Sequence, residues 1–367
     1  MKPTNNKSIS PLQLTFFIVQ TQIGVGVLSL PYAVHTGGAG SDAWISVLLT
    51  GIIIQFLIFL FSKIGSRYPN CSLYDMFPIT FGKYLGKFII LLYVVYFMLV
   101  AGLILILFNY IIEVWAFPRT PNWAFMIILA SATYYLVVEK VRVIARFYTI
   151  VSILLISIIV LSLPVYTHFD IRYIMPIGQS GLLNIILGTK EAMLSLLGFE
   201  VFLFLFPFVE GSPKEKVVSA SIANIIVTCY YTYLTFISLI FFSPEEFKLV
   251  PQPVLYLLNA FTYTVLERID IVFLAIWMIS VMTSLMTYIY LASVGLSNIS
   301  STEEHRKMVP LAIGCSIIIG LIPRNILSIE RWSSTIGNLG MIFAIAIPIL
   351  VFLSSFFVPK RKIEERM

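Results

Sequence analysis

The chain has 367 residues, 59% of them hydrophobic and only 11% charged, with a mean hydropathy of +0.95. A soluble domain carries about 25% charged residues, so these few cannot coat a water-exposed globule, and an all-α integral membrane protein is expected. Membrane strands need alternating segments of ~10 residues, shorter than these unbroken runs. The net charge of +6 lies in short basic groups between the runs, which fits membrane topology and not nucleic acid.

A membrane helix needs about 20 apolar residues. Ten runs qualify, at 11–34, 44–63, 88–112, 122–138, 146–164, 188–209, 217–242, 269–295, 309–326 and 334–358. The whole chain, 1–367, reads as a single transmembrane domain, with spans 1–5 over about 11–164 and spans 6–10 over about 188–358.

Span 1 contains Gln20–Pro31, QTQIGVGVLSLP, where polar residues, Gly24, Gly26 and Pro31 all weaken a helix. It has no small-residue cleavage site, so it is not read as a signal peptide. Irregular backbone at membrane depth survives only where it is buried in protein or lines a cavity. An unwound span would leave N–H groups pointing positive on one half-helix and carbonyls pointing negative on the other. Such a break could receive a small zwitterion or an ion. The alternative is that the glycines only let another helix approach closely.

Span 3 has its midpoint near Val100, in YFMLVAG. Span 6 reads EAMLSLLGFEVFLFLFPFVEG, with Leu197 and Gly198 at its centre, Glu200 beside them and Pro207 near its inner end. Paired interruptions in corresponding spans of two halves point to a transporter-type binding site. Five spans per half, with breaks in helices 1 and 6, imply an inverted repeat. Glu200 is the mid-depth carboxylate, costly if lipid-facing. It is expected to act as a structural cap on free N–H groups, as a proton site, or as both. The midpoint of span 8, SVMTSLMTY, offers Thr283, Ser284 and Thr287. Hydroxyls in membrane helices more often bond their own backbone, so a sodium site is not expected. Apolar Val100, Leu197 and Phe199 suit a small ligand with an apolar side chain.

Counting Lys and Arg on alternate sides puts 17 of the 24 on the side of the termini. Both termini are therefore expected to be cytoplasmic. The three cysteines (71, 229, 315) and three histidines (35, 168, 305) show no metal spacing. No metal, no cofactor and no enzymatic activity are expected.

The stretch GVGVLSLP resembles the helix-break motif of the amino acid–polyamine–organocation permeases. The ordered set ISPLQLTFFIVQTQIGVGVLSLP, DAW (Asp42–Trp44), RYPNCSLYD (Arg67–Asp75), FGKYLGK (Phe81–Lys87), LGFEVFLFLFP (Leu197–Pro207) and LERIDIVFLAIW (Leu266–Trp277) resembles the B subunits of spore germinant receptors, the GerAB-type endospore germination permeases. The resemblance runs from about residue 9 to 358. It implies a LeuT-like fold and nutrient sensing in the inner membrane of a bacterial spore, beside A-type and C-type receptor subunits. The germinant, commonly an amino acid, would meet Gly24, Gly26, Val100, Leu197, Gly198 and Thr283 or Ser284. Asp42–Trp44 and Arg67–Asp75 are expected to fix loop ends and helix register. The Glu267–Arg268–Asp270 cluster reads as an interfacial charge pair or a subunit contact. An amino acid transporter working by alternating access, or a scaffold with vestigial breaks, would carry the same features.

Overall fold

A computed structural model describes residues 9–261, 268–302, 304–323 and 325–356. The described residues are almost entirely helical. The helices are α1 (Pro11–Gln22), α2 (Gly26–Val34), α3 (Ala43–Arg67), α4 (Leu73–Phe81), α5 (Lys83–Trp115) and α6 (Asn122–Val137). Next come α7 (Val141–Val151), α8 (Leu154–Ser162), α9 (Leu182–Ser195), α10 (Val201–Leu205), α11 (Pro213–Phe241) and α12 (Pro244–Phe247). The last are α13 (Pro253–Asn259), α14 (Ile269–Ser300), α15 (Val309–Gly320), α16 (Ile326–Met341) and α17 (Ile347–Ser355). Six stretches among the described residues are long and apolar enough to cross a membrane: Gly26–Arg67, Lys83–Trp115, Val141–Thr167, Pro213–Phe241, Ile269–Ser300 and Ile326–Ser355.

Local chemistry starts these helices where the chain leaves a loop. Ser10 and Gln13 form a capping box at α1, with Pro11 in the first turn. Ser212 with Glu215 and Pro213 repeat the device at α11, and Ser243 with Glu246 at α12. Each box satisfies two N–H groups that a helix start leaves unpaired, and proline there gives up a donor that had no partner. The loop motifs act the same way. Ser72 and Asp75 box the start of α4. The buried Asp42 carboxylate accepts from the N–H groups of Gly178 (2.7 Å) and Ser180 (3.0 Å), pinning the loop before α9.

Hydropathy does not separate inside from outside here. In α3, Ile54 and Ile58 are fully buried while Ile52, Phe56 and Phe59 lie exposed on the outer face. Small and polar residues mark the packed seams instead. Gly51 sits directly against Thr228 of α11, and its carbonyl accepts from Asn224 Nδ2 at 2.9 Å. α1 packs against α11, α7, α14 and α10, so its second half is buried on every side, including Gln20, Thr21 and Gln22. Where α1 begins, Ile9 pairs with the end of the α10 segment: its N–H donates to Phe208 O, and its carbonyl accepts from Glu210 N–H.

Arg268 and Asp270 form an ion pair at 2.7 Å, and Arg268 also donates to the carbonyl of Trp115. Glu267, the third member of that cluster, lies outside the described residues, as do Leu266, Arg324 and both chain ends with their basic groups.

Candidate functional site

The backbone of α1 leaves helical geometry after Gln22: Ile23 is extended (φ −88°, ψ 94°), and helix resumes at Gly26. The last carbonyls of α1 lose their partners one turn ahead, and side chains from other helices take them over. Tyr231 of α11 donates its hydroxyl to Gln22 O at 2.9 Å. Within the break itself, Trp277 of α14 donates its indole N–H to Gly24 O at 3.2 Å, beside the N–H of Val27. The Ser284 hydroxyl lies 2.9 Å from Thr21 O and 3.1 Å from Gln20 O, donating between them. This differs from the back-bonding expected of hydroxyls in span 8. A carbonyl stripped of its helical partner is a better acceptor than one already bonded within Ser284's own helix.

Thr283 stands one residue away in a buried network that shares the Gln20 carbonyl with Ser284. Its hydroxyl lies 2.8 Å from Gln20 Oε1 and 2.7 Å from Ser280 O. Gln20 Nε2 donates to Ser152 Oγ at 3.0 Å, and Tyr148 and Thr21 meet the Thr287 hydroxyl, each at 2.9 Å. The network ties α1 to α7 and α14. Among the described residues, no group of acidic, histidine or cysteine side chains could hold a metal ion.

The second interruption separates α9 from α10. Gly198 takes φ +121°, which a side chain would strain, and a Cβ there would come within 2.9 Å of Thr21 and 3.1 Å of Gln22. The two breaks therefore touch. Glu200 is buried, and its Oε2 accepts from Gly198 N–H at 2.7 Å, while Oε1 has no partner among the described residues. The carboxylate is bonded within the break itself; it makes no side-chain cap on the first turn of α10.

Between the breaks lies a cavity of about 550 Å³. It extends from Gly24, Gly26 and Ser284 to Gln252 and Glu330, away from the end where Ile9 pairs with Val209. Of the residues singled out in the sequence, Gly24, Gly26, Val100, Leu197 and Ser284 line it, whereas Gly198, Thr283 and Glu200 are not part of its lining, and neither is Phe199, expected as a wall, which stacks on Phe61 instead. No side chain caps the start of α2; Val27 N–H turns back to Gly24 O at 3.3 Å, while Gly26 and Leu28 of the same first turn line the cavity at the positive end of the helix dipole. Ser195, the last residue of α9, brings a helix C-terminus to the same cavity. Two opposite helix poles thus share one space with apolar walls.

Sequence reasoning did not single out Gln22, Tyr96 or Tyr288, all of which line the cavity, nor the braces Tyr231 and Trp277. Gln22 was visible only as a weak helix former. The tyrosines carried no signal among so many aromatic residues.

Comparison with known proteins narrows the class. A family described as "spore germination protein" matches residues 8–329. The chain is 25% identical over 361 residues to spore germination protein GerQB of Bacillus cereus, covering 96% of this chain and 98% of that protein. It is 25% identical over 353 residues to YndE of Bacillus subtilis (95% and 96% covered). It is 28% identical over 318 residues to spore germination protein A2 of the same species (83% and 85%). Among solved structures it resembles Mhp1, a nucleobase-cation-symport-1 family transporter in a closed conformation with bromovinylhydantoin bound. The TM-score is 0.66 at 11% identity, covering 94% of this chain and 79% of Mhp1. That likeness establishes a transporter-type fold and nothing about the ligand. With apolar helices long enough to span a bilayer and a family match over most of its length, the chain is an integral membrane protein of the spore germination permease family.

Proposed function

We propose that this protein is the germinant-sensing membrane subunit of a spore germination receptor. It binds a small molecule, an amino acid by our reading, at mid-membrane between the two helix breaks and passes the signal to A-type and C-type partner subunits. The observation that carries this reading is the cavity between the uncapped start of α2 and the end of α9. A carboxylate suits the N–H groups of α2, an ammonium suits the carbonyl end of α9, and Val100 and Leu197 suit a small apolar side chain.

On this reading fourteen of the seventeen helices among the described residues group into ten crossings: α1 with α2, α3, α5, α6, α7 with α8, α9 with α10, α11, α14, α15, and α16 with α17, while the short α4, α12 and α13 lie between crossings. The interrupted first and sixth crossings are then equivalent members of a five-plus-five inverted repeat. The excess of basic residues on the side of the termini supports cytoplasmic termini and a cavity that faces outward, and membership of the spore germination family supports a place in the spore's inner membrane. Binding alters signalling only insofar as the ligand prefers one conformation over another.

Purified protein screened against amino acids by thermal shift tests the proposal, and at least one small neutral amino acid is expected to stabilise it. Tight binding of a sugar or nucleoside, with no amino-acid response, would overturn it. A second reading, transport by alternating access, is favoured by the likeness to Mhp1. Accumulation of a radiolabelled amino acid in proteoliposomes containing this chain alone would establish that reading instead.

A further inference from the structure

The proposed site leaves open how one small ligand could act on both breaks, and Gln22 bears on that question. It is the last residue of α1, is 3% exposed and lines the cavity. Its backbone carbonyl is held by the Tyr231 hydroxyl at 2.9 Å. Its side-chain Nε2 donates to Leu196 O at 2.6 Å, inside the α9–α10 break. That bond orients the amide and leaves Oε1 as an acceptor with no partner among the described residues. A buried acceptor in that position has an unmet demand for a donor. The cavity's charged lining points the same way. Among the described residues it consists of Glu191 and Glu330, with no Lys or Arg, so the space favours a cationic or zwitterionic occupant over a bare anion. The fit with the other break is close, because a Cβ on Gly198 would touch Gln22 Cγ at 3.1 Å.

We propose that Gln22 is a specificity-determining residue: its Oε1 accepts a hydrogen bond from the ligand's ammonium group while its Nε2 holds the α9–α10 break. This rests on the reading of the cavity as an amino-acid site and goes further by assigning the ammonium's protein partner. One side chain then carries occupancy of the cavity to both interruptions. The class of ligand required is a primary amine next to a carboxylate. The matching 2-hydroxy acid keeps the size and the carboxylate but loses the cationic donor.

The test uses the full chain, purified in detergent, with binding measured for alanine, valine and leucine and for their 2-hydroxy counterparts, lactate, 2-hydroxyisovalerate and 2-hydroxyisocaproate. The wild type is expected to prefer an amino acid over its hydroxy acid by at least 10-fold. Gln22→Leu should lose that preference, whereas Gln22→Glu, which keeps an acceptor at the same reach, should retain it. Because both variants remove the buried Nε2 bond to Leu196 O and could misfold, the wild type decides alone if needed: equal binding of an amino acid and its hydroxy acid by the wild type overturns the inference. An unchanged preference in a folded Gln22→Leu also overturns it while leaving the amino-acid site intact. Wild-type protein that binds none of the amino acids overturns both the site and the role of Gln22.

Discussion

The two interruptions are built on different principles. The α1–α2 break is braced from outside: Tyr231, Trp277 and Ser284, on two other helices, cover the carbonyls it exposes. The α9–α10 break is held from within and by its counterpart, through the positive φ of Gly198, the Glu200 carboxylate on Gly198 N–H, and Gln22 on Leu196 O. A braced break shares its load among several donors, so losing one costs little. A self-held break depends on each of its few parts. The α9–α10 break should therefore be the more easily disrupted of the two.

The largest effect is expected from Gly198→Leu. It combines backbone strain with contact against Thr21 and Gln22, for a loss of roughly 3 kcal/mol or more. Thermal unfolding in detergent and germinant response both read it, and a wild-type response with normal assembly would revive the vestigial-scaffold reading.

Glu200→Leu should follow, at about 1–3 kcal/mol, because Gly198 N–H loses its acceptor in a buried place. Glu200→Gln keeps an acceptor and should be milder. Equal, severe loss of function in both variants at normal expression would favour a proton role for the carboxylate.

Gly24→Ala tests the braced side. Its Cβ would come 2.5 Å from Ser284 Oγ, costing about 1–3 kcal/mol by overpacking. Adding Ser284→Ala removes the clashing oxygen, so the double variant should melt above Gly24→Ala alone. If the melting-point changes of the two single variants simply add in the double variant, the contact is not the cause.

Ser284→Ala by itself should be the mildest, about 0.6 kcal/mol, in line with single hydrogen bonds between membrane helices. Thr283 still reaches Gln20 O at 3.3 Å, and Tyr231 and Trp277 keep their carbonyls. A loss as large as that of Glu200→Leu would contradict the contrast between the two breaks.

The membrane class, the helical character and the glycine-rich weak point of the first span were legible in the sequence, because each rests on local composition. Gly24, Gly26, Val100, Leu197 and Ser284 could be picked out by their depth in an apolar run, and they meet at one cavity. Thr283 could not be told from Ser284 in this way. Adjacent helix positions are rotated by about 100°, which puts Ser284 on the cavity and Thr283 in the Gln20 network. The bond made by Glu200 was only half legible: a buried carboxylate had to find a donor, but which N–H it would meet depends on how the break turns.

By itself, then, the order of residues determined where the chain is apolar and where its helices are weak, since hydropathy and backbone preference act over a few neighbours. Only the tertiary structure decided which distant groups would cover the weak points. Tyr231 reaches a carbonyl 209 positions away, and Trp277 one 253 positions away. Bonds of that range arise from helix packing, which places donors beside exposed carbonyls without leaving a mark on the local pattern.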